Sequence, residues 1–220
     1  MTTTGKTTAA RAAGVLLALS GSIILMGIIT AEALYPRAYS TAANTISDLG
    51  GTRPPEGLVL QPSAAVFDAT MLVAGALVVI AAALAHRAVR RWSLTVPLAV
   101  FGAGLLGVGF FPGNTTPHPL FAYTAFLGGG IAALLSGRSV TRPMRHICVA
   151  LGAIALLATV LGTFLLSWGP VAELGEGGIE RWIAYPVVLW LASFGGHLTA
   201  SGVASKHPEP IGSISASALA

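Results

Sequence analysis

Six stretches of this chain are apolar and nearly free of charge for ~18 residues or more, the length a helix needs to cross a hydrocarbon slab ~30 Å thick. They are Ala12 to Leu34, Ser63 to Ala85, Ser93 to Phe111, Pro119 to Ser136, Ile147 to Trp168 and Trp182 to Val203. Hydrophobic residues make up 54% of the 220 and charged residues 9%, against roughly 25% charged in an ordinary soluble domain. A soluble fold of this size would need far more ionised surface. Ten-residue alternating strands, the mark of a membrane β-barrel, are not seen. The expected fold is therefore an all-α integral membrane bundle of six transmembrane helices over residues 12–203. Residues 1–11 and 204–220 read as mobile cytoplasmic tails.

The basic residues set the orientation. With the N-terminus inside, Lys6, Arg11, Arg87, Arg90, Arg91, Arg138, Arg142, Arg145 and Lys206 are cytoplasmic, and only Arg37, Arg53 and Arg181 lie outside, nine against three of the 12. Lys and Arg are retained on the cytoplasmic side, so the reading is N-in, C-in in the cell membrane. The net charge of +4 is thus a topology signal, its basic clusters at the level of anionic headgroups, and no nucleic-acid footprint. Trp92, Trp168 and Trp182 fall at span ends, where amphipathic rings sit. A cleaved secretory signal at the N-terminus is the competing reading, but its apolar stretch exceeds the usual ~7–15 residues.

Helices in lipid associate through close backbone approach. Ala99, Ala103 and Gly107 form one small-residue stripe, and Ala125, Gly129 and Ala133 form another. Short links between spans two to five favour antiparallel neighbours. Cys148, the single cysteine, reads as a small apolar residue at a helix start and excludes an intrachain disulfide or thiolate metal cage.

Candidate chemistry collects at the outer ends. In the long first loop, 35–62, Ser40 can cap a short interfacial helix, with Ala42, Ile46 and Leu49 on one face and Gly50 closing it. Asp48 would end that helix, where a negative charge is disfavoured, so Arg37, Arg53 or Arg181 should compensate it. Asp68 lies ~9 Å into the second span and needs a partner, a proton or a bundle-facing position. His118 opens the fourth span and can serve as an acid or base near neutral pH. Glu180 starts the sixth span, where an acid complements the helix dipole. Asn44, Ser47, Asp48, Asp68, His118, Glu180, Arg181 and Tyr185 form the expected polar pocket, and Asp48, Asp68, His118 and Glu180 are its catalytic candidates. Arg181 is expected within salt-bridge range of Asp48 or Asp68, with His118 lining the same cavity.

Asn44-Thr45-Ile46-Ser47-Asp48-Leu49-Gly50 with Pro54, His118-Pro119-Leu120-Phe121, and Gly178-Ile179-Glu180-Arg181-Trp182 with Tyr185-Pro186 together resemble a prokaryotic membrane family catalogued as domain of unknown function 998. More distantly the chain is similar to eukaryotic six-span proteins of the DRAM and Sfk type, linked with membrane lipid organisation and autophagy. The resemblance implies a six-helix bundle and supplies no reaction.

Three function classes follow. The expectation is a lipid-interacting or complex-organising membrane protein, with membrane lipids, a protein partner or a second copy as partners. The alternatives are a membrane-embedded hydrolase or transferase with an outer-leaflet polar site, and a small transporter or channel. The enzyme class lacks a visible base for a nucleophile: Ser47 beside Asp48 in sequence is not a Ser–His–Asp geometry. Transport would place ionisable groups near the midplane, and these gather outside. No phosphate-cradling Gly loop or paired inner histidines suggest a cofactor, and one outer His without an outer Cys is a poor zinc site.

Overall fold

The computed structural model describes residues 2–204, and its long apolar runs fold as six helices. They are α1 (Thr3–Ala33), α2 (Ser63–Val89), α3 (Trp92–Phe110), α4 (His118–Ser136), α5 (Met144–Phe164) and α6 (Gly169–Ala204). All six are long and apolar enough to cross a membrane, so this is a multi-pass membrane protein. Each helix packs on the next, and α1 returns against α6 to close the ring. Outward-facing Met26, Val73, Ile80, Leu127, Leu157 and Leu189 are exposed, as a lipid-facing belt requires. Trp92, Trp168 and Trp182 are exposed at span ends, whereas Trp190 is fully buried and donates to Ser136 Oγ at 2.9 Å.

Two boundaries differ from the sequence reading. Residues 3–11, read as tail, continue α1, which begins at a Thr2 cap accepting from the Gly5 N–H. The sixth helix begins at Gly169, well before Trp182, and contains a non-helical Gly175 with φ 71°. The expected tail over 205–220 lies outside the described residues.

The small-residue stripes fare unequally. Ala125, Gly129 and Ala133 are all buried on α4. On α3 Ala103 is exposed, and the close approaches run through its neighbours. A Cβ on Gly104 would stand 2.5 Å from the Ala125 nitrogen, and one on Gly102 would stand 3.0 Å from the Gly75 carbonyl oxygen. The four-residue spacing holds on α4; on α3 it holds at Gly107, where a Cβ would run into the Phe121 ring, and at half-buried Ala99, and fails at Ala103.

Loop 35–62, the C-terminal ends of α1, α3 and α5, and the N-terminal ends of α2, α4 and α6 share one face of the bundle, here the loop end.

Candidate functional site

Loop 35–62 is strapped to α6 backbone to backbone. The Gly177 N–H donates to the Ala42 carbonyl at 2.9 Å. Glycine is required here on two counts: Gly175 takes a left-handed φ of 71°, and a Cβ on Gly177 would run into the Asn44 carbonyl. The expected interfacial helix is therefore reduced to a turn at 41–43 and a single 3-10 turn, Ser47–Leu49. Ser40 does cap the first of these, accepting from the Ala43 N–H at 3.3 Å. The Ala42/Ile46/Leu49 spacing suits a helix. Pairing of the Ala42 carbonyl with α6 competes for the same backbone and wins.

Arg181 fastens the strap. Its Nη1 donates to the carbonyls of Thr41 (2.9 Å), Asn44 (3.1 Å) and Gly177 (2.8 Å). Its Nη2 donates to Tyr39 Oη at 2.9 Å and to Glu32 at 2.5 Å. The expectation that Arg181 pairs with Asp48 or Asp68 is thus corrected: its partner is Glu32, in the last turn of α1. A planar fork with five donors suits a ring of carbonyls and one carboxylate, which neither aspartate is placed to complete. Burial pushes the Tyr39 phenol well above its ordinary value, against the opposing pull of Arg181. It keeps its proton and donates to the Thr45 carbonyl at 2.9 Å. A second bridge, Arg53 to Glu176 at 2.6 Å, crosses the more exposed side of the strap.

Asp48 needs no cation. Its Oδ2 accepts from the Thr45 N–H at 2.8 Å, and Thr45 Oγ1 accepts in return from the Asp48 N–H at 3.2 Å. Asp68 stands apart, against Gly50 on the α2 side, with its Oδ1 buried and unpartnered among the described residues. Tyr185 is on a different surface, lining a groove beside Arg181. Asn44 closes the Ser40 turn, its Oδ1 accepting from the Ser40 N–H at 3.0 Å. The eight expected pocket residues do not form one cluster.

Three of them do converge. Ile46 and Leu49 are buried plugs that drive the 3-10 turn into the bundle, at ~1.5–3 kcal/mol each for a fully buried side chain. Ser47 is thereby lowered between two buried residues from different helices. Its Oγ is 3.0 Å from His118 Nε2 and 3.1 Å from Glu180 Oε1. The other carboxylate oxygen of Glu180 accepts from the Ile46 N–H at 2.5 Å. Glu180 lies just past the break at Gly175, and its carboxylate faces the loop rather than the N–H groups of its own helix.

Proton counting constrains this trio. His118 Nδ1 lies 2.7 Å from the Phe111 carbonyl, which can only accept, so Nδ1 carries a proton. Ser47 has one proton and two neighbours. With an ionised Glu180 and a neutral His118, one of its two contacts would face acceptor to acceptor. Both become hydrogen bonds only when the trio holds one further proton, as Glu180 acid, Ser47 hydroxyl and neutral His118, or as carboxylate, hydroxyl and imidazolium. Either form has no net charge, the state a buried site near lipid tolerates. In either form the Ser47 hydroxyl points at a base.

A cavity of about 220 Å³ opens on this trio between the ends of α4, α5 and α6, with Arg53 and Glu176 at its rim. Beneath Ser47 and Glu180 a smaller apolar cavity of about 60 Å³ follows the bundle axis, lined by Ile28, Phe67, Met71 and Val188 among others. Ser47 and Glu180 line both, and so form the polar partition between them. Among the described residues no three ligating side chains gather to hold a metal.

The Ser47–Glu180 contact and the Glu32–Arg181 pair escaped the sequence reading. A signal existed for the second: Glu32 is an acid in a helix's last turn, where the dipole opposes it and a cation is wanted. No local pattern marks the first, which joins positions 133 apart.

No curated protein and no solved structure matches this chain. Residues 12–197, which hold the whole loop, the strap and the Ser47–His118–Glu180 trio, match the family described as Protein of unknown function (DUF998), and the chain belongs to that family.

Proposed function

We propose that this protein is a membrane-embedded hydrolase or acyltransferase that uses Ser47 as a nucleophile on an ester presented at the extracytoplasmic face of the cell membrane. The observation that carries this reading is the 3.0 Å contact between Ser47 Oγ and His118 Nε2, with the ring held from behind by the Phe111 carbonyl at 2.7 Å. It supplies what the sequence lacks, a nucleophile touching a base that a third group orients. That is why this class is preferred here to the purely lipid-organising role which sequence alone favours. The chemistry closes without a cofactor. Ser47 Oγ attacks the ester carbonyl while its proton passes to His118 Nε2 or Glu180 Oε1, and the leaving alkoxide takes that proton as its C–O bond breaks. The acyl-serine is then cleaved by water or by a second alcohol. The 220 Å³ cavity admits the ester, and the distribution of basic residues supports an outward-facing position for it.

The test is a fluorophosphonate probe on the full chain in nanodiscs, read by peptide mass. The expected result is an adduct on Ser47, formed far faster than on the exposed Ser139. With His118→Ala the rate of labelling should fall by ~10²-fold or more, the usual contribution of a positioned base. Ser47 reacting no faster than Ser139, together with no hydrolysis of p-nitrophenyl esters, would overturn the reading.

A further inference from the structure

On the outside of the bundle a groove of about 540 Å³ runs between α5 and α6. Ile154, Trp182, Pro186 and Leu189 line its length, and Arg181 and Glu173 stand at its loop end. From Gly178 to Leu189 the α6 wall is about 16 Å long at 1.5 Å per residue. That is about half the ~30 Å hydrocarbon thickness, the depth of a single leaflet. The groove therefore has the outline of an amphiphile: one leaflet of apolar wall, then charge at headgroup level. Pro186 adds a polar feature on the wall, because it has no N–H to offer the Trp182 carbonyl one turn earlier. In a water-free setting that acceptor needs a partner from elsewhere.

Charge at the rim narrows the occupant. The guanidinium of Arg181 is already neutralised by Glu32. Glu173 is exposed and forms no ion pair among the described residues. The uncompensated charge facing a headgroup is thus negative, which favours an ammonium and disfavours a purely anionic lipid.

We infer that the α5–α6 groove binds one glycerophospholipid with an ammonium headgroup, its acyl chain along Ile154 to Leu189 and its ammonium against Glu173. The inference does not depend on Ser47 acting as a nucleophile. It is tested on the full chain in phosphatidylglycerol nanodiscs carrying a trace of phosphatidylethanolamine with a diazirine on its acyl chain. Crosslinks should fall on Ile154 and on 182–189 at several times the yield found at Val73 and Ile80, exposed lipid-facing positions on α2. Unlabelled phosphatidylethanolamine should compete and added phosphatidylglycerol should not. Ile154→Trp should remove the excess without changing labelling of α2, and Glu173→Gln should abolish the headgroup preference. Labelling that merely tracks exposure around the bundle would overturn the inference, as would equal competition by the two lipids. Crosslinks between copies through this groove, with lipid labelling below that of α2, would overturn it too.

Discussion

Arg181 shows what a buried charge requires at the edge of a membrane. Five hydrogen bonds surround its two terminal nitrogens, three of them to the carbonyls of Thr41, Asn44 and Gly177. Removing the guanidinium strips the partners from those carbonyls and leaves Glu32 uncompensated. Arg181→Met should therefore lower stability by ~3–5 kcal/mol, the usual cost of breaking a buried pair from one side. Arg181→Lys, which keeps the charge and loses the fork, should recover only part of it. Thermal unfolding in detergent measures both, and equal stability of Lys and wild type would mean that charge alone holds the loop. Ser47, His118 and Arg181 were recognisable from sequence as polar residues at one membrane level. Which of them touch was not, because pairing between residues more than 70 positions apart depends on how helices rotate about their axes, and no local spacing records that.

Helices were the most legible part of this chain, since lipid permits few alternatives to a long apolar helix. Their rotational phase was less so. Ala103 and Gly104 are adjacent, yet one faces outward and the other meets the backbone of Ala125. Gly104→Leu should consequently cost ~1–3 kcal/mol or more by overpacking, while Ala103→Leu should be tolerated. Folded yield and detergent melting of the pair distinguish the two faces, and the reverse order would mean that α3 is rotated by a residue. The loop followed the same logic. Its apolar residues have helical spacing, but the N–H groups freed just after the break at Gly175 in α6 offer stronger partners than a second turn of helix would. Gly177→Val should break that strap and expose 35–62 to protease, whereas Gly196→Val, with nothing near its Cβ position, should not.

For the molecule as a whole, the ring of six helices carries nearly all its ionisable loop contacts at one end and its basic clusters at the other. Cysteines placed at Glu56 and Arg142 should be labelled by impermeant reagents from opposite sides of the membrane, Glu56 from outside. Cys148 is buried and contributes little background. Labelling of both from one side would refute the six-span arrangement. Closure of the ring through α1 and α6 also orders events during synthesis. Ser47 leaves the ribosome 133 residues ahead of Glu180, and Glu32 leaves 149 ahead of Arg181. Until the last helix enters the bilayer, the first loop lacks its strap to α6 and its serine lacks one of its two neighbours. A nascent chain halted after five spans is thus a membrane protein without a site, and the cell receives the assembled trio only with the final helix.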